Sequence, residues 1–145
     1  LGDTLANTAS LVYGIDLGHI NDGDMPWEGS GEDHYQGDDH YQGEVWIANA
    51  LGIPVIDHGA YRAPSWEEMY DSGVRMSYHG SPADGYGHYI VSFASLGDAE
   101  FSPDKVCPDE MLNLEMGARH VAIDFCEKAG LDFEGVSWMV CIHGG

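Results

Sequence analysis

Two identical pentapeptides, Asp33-His34-Tyr35-Gln36-Gly37 and Asp39-His40-Tyr41-Gln42-Gly43, each set an imidazole beside a carboxylate. His34 and His40, with Asp33, Asp38 or Asp39, form one donor set that suits zinc, nickel or manganese, because imidazole and carboxylate are both good ligands for these ions. Their spacing matches no defined ligand motif, and a Gly-rich segment loses entropy on closing around an ion. A duplication with no selected role accounts for the repeat equally well. A second donor pair, His79 and His88, flanks a turn that contains Asp84. Strands pairing across that turn would bring the two imidazoles together at a sheet end, as a metal or acid/base site. Surface histidines bonded to turn backbone are the plainer reading of the same pair.

Carboxylates dominate the remaining polar chemistry. The first basic residue is Arg62; eleven Asp and Glu precede it, eight of them between Asp22 and Glu44. Five Lys and Arg face twenty-five Asp and Glu, a formal charge of −20. Asp22, Asp24, Glu28, Glu32, Asp33, Asp38, Asp39 and Glu44 together suit a surface that imitates the phosphates of nucleic acid and occupies a basic cleft on another protein. Trp27, Tyr35, Tyr41 and Trp46 lie in or beside this stretch, where rings supply contact area and charge supplies orientation. The opposing reading is a solvated loop whose charge serves solubility.

The same balance excludes much. Nucleic acid and anionic membrane would have to approach against repulsion, so neither is expected as a direct partner. No apolar run reaches the roughly 18 residues of a transmembrane helix, and no basic segment leading into an apolar stretch suggests a signal peptide. Gly-x-Ser-x-Gly elbows and phosphate-cradling glycine loops are absent, which makes an enzyme the weaker class. Cys107, Cys126 and Cys141 fit neither a disulfide framework nor a Cys-x-x-Cys site, and read as reduced core filler in a cytoplasmic protein. Beyond a divalent metal at the histidines, no cofactor is expected.

These side chains need elements to hold them. Ser10–Leu17 alternates as a strand, and 18–43 follows as an acidic, Gly-rich loop. Glu44–Leu51 predicts a short helix, and Ser65 with Glu68 has capping-box spacing for another that ends near Gly73. Val74–His79 and His88–Ser95 predict a hairpin about the turn at Gly80–Gly87. Pro108-Asp109-Glu110 opens the longest helix, which Gly130 ends; Gly117 within it suggests close packing on a sheet. Val136–Ile142 is the last strand. This order predicts one α+β domain over residues 1–145: a ferredoxin-like βαββαβ sandwich, with two main helices on one face of a four-stranded antiparallel sheet. The other face offers a surface for a homodimer.

Asn7-Thr8-Ala9-Ser10-Leu11-Val12-Tyr13-Gly14-Ile15-Asp16-Leu17-Gly18 resembles the opening of a family of small uncharacterised acidic proteins of actinobacteria and their bacteriophages. The stretch from Gly73 to Gly80, the Gly-terminated helix and the strand with Trp138 are similar in pattern; the Asp-His-Tyr-Gln-Gly repeat departs from it. The resemblance implies a phage or actinobacterial cytosolic origin and transfers no functional residues. Taken together, the expectation is a phage-type accessory protein whose acidic surface binds a basic host protein. The alternative is a metal- or small-ligand-binding domain built on the histidines.

Overall fold

The computed structural model describes residues 8–19, 25–27, 41–81, 86–100 and 102–143. Strand β1 spans Thr8–His19, helix α1 Gln42–Leu51, β2 Val55–Asp57, β3 Arg62–Pro64 and α2 Trp66–Ser72. Then come β4 at Arg75–Ser81, β5 at Tyr86–Ala99, α3 at Pro108–Ala129, a 3-10 turn at Phe133–Gly135 and β6 at Ser137–His143. The expected α+β class holds.

The expected ferredoxin-like sheet does not. β1 pairs antiparallel with both β5 and β6, and β4 pairs antiparallel with β5. β4 then meets β6 in parallel through Gly80 and His143, so the strands close on themselves in the order β1-β5-β4-β6. An open, wholly antiparallel sandwich is thereby replaced by a mixed, closed sheet. The physical reason lies in the β1–β5 ladder, whose register shifts three times, between Ala9 and Leu11, Tyr13 and Gly14, and Asp16 and His19. Each irregularity adds twist and bend, and the accumulated coiling carries β4 round to β6. Gly14 sits at the central shift because no side chain fits there: a Cβ would run into the Val91 carbonyl oxygen.

Alternation sorts the strand residues onto two faces. Tyr13, Ile15, Val91 and Phe93 meet Ile47 and Ala48 of α1 and Ala118, Ala122 and Phe125 of α3. Phe125 is fully buried, and its ring meets Trp46 and Phe93 edge-on and tilted. On the opposite face Val12, Ile90 and Cys141 form a small second cluster, with Met139 against it. Buried Cys126 and Cys141 behave as the core filler expected of them, whereas Cys107 is exposed.

Local signals were followed unevenly. α3 opens with Pro108, Asp109 and Glu110, and Lys128 closes it with an ion pair to Asp124 at 3.1 Å. Ser65 does precede α2, but its side chain makes no capping hydrogen bond. Gly117 was expected to permit close packing, yet it is exposed, with open space where its Cβ would be. The β2–β3 hairpin went unforeseen, since three-residue strands that include Pro64 carry almost no periodic signal. No helix among the described residues is long and apolar enough to cross a membrane.

Candidate functional site

Register alone assembles the first group of side chains. His88 on β5 stands opposite His19 of β1 and His79 of β4. The three imidazoles form a row across three strands, with ring centroids 5.5 Å apart for His19–His88 and 5.9 Å for His79–His88. Both contacts are edge-on. Asp16, three residues back along β1 across the register shift, places its carboxylate oxygens 2.9 and 3.0 Å from Nδ1 of His88. A carboxylate only accepts, so Nδ1 of His88 carries the proton and donates, leaving the lone pair on Nε2. His79 is set the opposite way. Its Nδ1 accepts the Ile142 amide at 3.1 Å, so its neutral ring carries the proton on Nε2. Beside it, His143 on β6 lies 3.3 Å from the Ser10 hydroxyl through Nε2.

An Asp–His pair with an outward lone pair can bind a cation or relay a proton. Among the described residues, however, no three His, Cys, Asp or Glu side chains are placed to hold one metal ion together. Of the His79 nitrogens, Nδ1 is engaged by the Ile142 amide.

The second group lies on the helix side. Glu44 in the first turn of α1, Trp66, Met69 and Tyr70 of α2, and the start of β4 line a cavity of about 270 Å³. Val74 is fully buried and Met69 nearly so, and they form its apolar floor. The Tyr78 hydroxyl donates to Oε2 of Glu44 at 3.2 Å. Burial pushes the Tyr78 phenol well above its ordinary range, and the Glu44 charge and hydrogen bond push the same way. Arg75 lays its guanidinium 4.3 Å from the centre of the Tyr70 ring. The Trp66 ring of the cavity meets Tyr41 at 5.3 Å, and Tyr41 meets Tyr61 at 5.5 Å; a separate group forms where Trp27 meets Trp46 at 5.8 Å and Tyr89 at 5.2 Å.

Of the acidic and aromatic residues singled out in the sequence, Glu44, Trp27, Tyr41 and Trp46 are described. Glu44 lines the cavity, and the three rings pack against the domain, Trp27 on Trp46 and Tyr89, Trp46 on Phe125, and Tyr41 on Tyr61 and Trp66. Asp22, Asp24, Glu28, Glu32, Asp33, Asp38, Asp39 and Tyr35 lie outside the described residues, as do His34, His40 and Asp84. His79 and His88 are brought together as expected of a hairpin. Sequence reasoning missed His19 and Asp16, although Asp16 alternates against Ile15 and Leu17 and so had to face away from the helices. It also missed the cavity, whose one local signal was the i,i+4 pair Trp66 and Tyr70. No family model matches the chain, and neither a curated protein nor a solved structure is significantly similar to it.

Proposed function

We propose that this protein is a phage-type accessory binding protein of the actinobacterial cytoplasm, and that its acidic surface engages a basic surface on a host protein in the manner of a nucleic-acid mimic. One observation carries the reading: every described carboxylate except Glu44 and Glu115 is exposed. Five Lys and Arg cannot neutralise twenty-five Asp and Glu: Lys128 pairs with Asp124, while Arg75 and Arg119 lie over the Tyr70 and Phe133 rings. A surface of this kind attracts basic partners from a distance and repels phosphate backbones. The resemblance of the N-terminal segment to acidic phage proteins supports the same direction.

The test is affinity capture from an actinobacterial lysate at low salt, followed by a salt gradient. A discrete nucleic-acid-handling protein that elutes at moderate salt, and that double-stranded DNA displaces, is the expected result. Retention that is indifferent to salt, or no retained species, overturns the reading, because attraction between exposed charges is screened within about 10 Å at 0.1 M ionic strength.

A second reading, a divalent-metal site, rests on the Asp16–His88 contact, which leaves Nε2 of His88 available with His19 as the nearest second imidazole. Zinc or nickel would then raise the thermal midpoint, as any native-state ligand does. His88→Ala would abolish the rise, and an unchanged midpoint with the intact protein would dismiss the site.

A further inference from the structure

We infer that the cavity between α1, α2 and β4 is the seat of a single arginine side chain from the basic partner, a placement that rests on the binding role proposed above. Three features of the cavity select a guanidinium. Glu44 supplies a carboxylate already oriented by the Tyr78 hydroxyl, so little freedom remains to be lost when a guanidinium donates to it. Trp66, half exposed, and Tyr70, two-thirds exposed, line the cavity, with Tyr41 edge-on to the Trp66 ring and Arg75 over the Tyr70 ring. Aromatic faces attract cations, indole most strongly, and a planar guanidinium stacks on them while donating in a fork to a carboxylate. The fold itself contains an instance of this stacking, Arg75 over Tyr70.

The apolar floor of Met69 and Val74 with Met76 suits the methylene stem of the incoming side chain. Charge around the opening points the same way. Glu44 lines the cavity beside Arg75, and the short helix α2 that carries Trp66 and Tyr70 also carries Glu67, Glu68 and Asp71, all exposed. Aromatic side chains beside exposed carboxylates suit a basic partner, with rings supplying contact area and charge supplying orientation. The occupant is therefore arginine on a basic chain rather than lysine, whose compact ammonium gains less from stacking.

Hexa-arginine and hexa-lysine peptides, of equal charge, are the probes. Their binding is followed by tryptophan fluorescence and calorimetry at about 50 mM salt, where surface charges still act over some 14 Å. Hexa-arginine should bind about tenfold more tightly than hexa-lysine. Trp66→Ala and Glu44→Gln should each bring the two peptides within about twofold of one another. Glu127→Gln, on the exposed side of α3, should leave the preference intact; circular dichroism verifies that each variant is folded. Equal binding of the two peptides, or a preference that survives both cavity substitutions, overturns the arginine seat while leaving the acidic-surface reading standing. If neither peptide binds, both readings are overturned.

Discussion

Tyr78 and His79 are neighbours on β4 with opposite surroundings, and each makes its hydrogen bond testable. The Tyr78 phenol is buried against Glu44, so its ionisation is disfavoured in the fold. A group whose native pKa is raised contributes stability that is complete below its unfolded value, about 10 for tyrosine, and lost as pH climbs toward the native value. Tyr78→Phe should therefore cost about 1 kcal/mol at pH 7 through the lost bond to Glu44. The variant should also flatten the fall in stability above about pH 10, read from urea midpoints across pH. His79 accepts the Ile142 amide, and through it β4 is tied to β6. His79→Ala should lose about 1 kcal/mol. His79→Asn, whose amide oxygen takes the place of Nδ1, should recover most of that; equal loss in both variants would mean the bond contributes nothing.

At the scale of elements, two glycines make opposite predictions. Gly117 lies in an exposed stretch of α3 with nothing near its absent Cβ. Gly117→Ala should stabilise the protein by about 0.5–1 kcal/mol, the ordinary helix preference of alanine. Gly14 sits where β1 shifts register against β5 and its Cβ would meet the Val91 carbonyl oxygen. Gly14→Ala should destabilise by roughly 3 kcal/mol or more, because backbone rather than a flexible side chain must move. Thermal melts of the two variants check both signs. The helical and strand segments themselves were largely legible, since 3.6-residue and two-residue periods, Pro108 and the acidic first turn of α3 are local properties. Capping was less so: the Ser65-x-x-Glu68 spacing preceded a real helix, but its hydroxyl does not cap it.

The whole molecule is governed by its charge. With −20 on 145 residues and the described carboxylates almost all exposed, self-repulsion opposes the compact state. Sodium chloride at about 0.3 M should therefore raise the thermal midpoint by several degrees while weakening capture of a basic partner, because the same screening acts on both. A midpoint that falls with salt would argue that specific ion pairs outweigh the repulsion.

Charge, element types and the pairing of His79 with His88 follow from the chain itself, because each depends on composition or on residues a few positions apart. The tertiary structure alone decided that the sheet closes, since closure comes from three register shifts in a ladder that joins residues some eighty positions apart. It alone brought Asp16 and His19 to His88, and Glu44 to Tyr78 and the α2 rings. Those meetings are set by strand register and by how α1 packs on the sheet, and no local pattern of residue types encodes either.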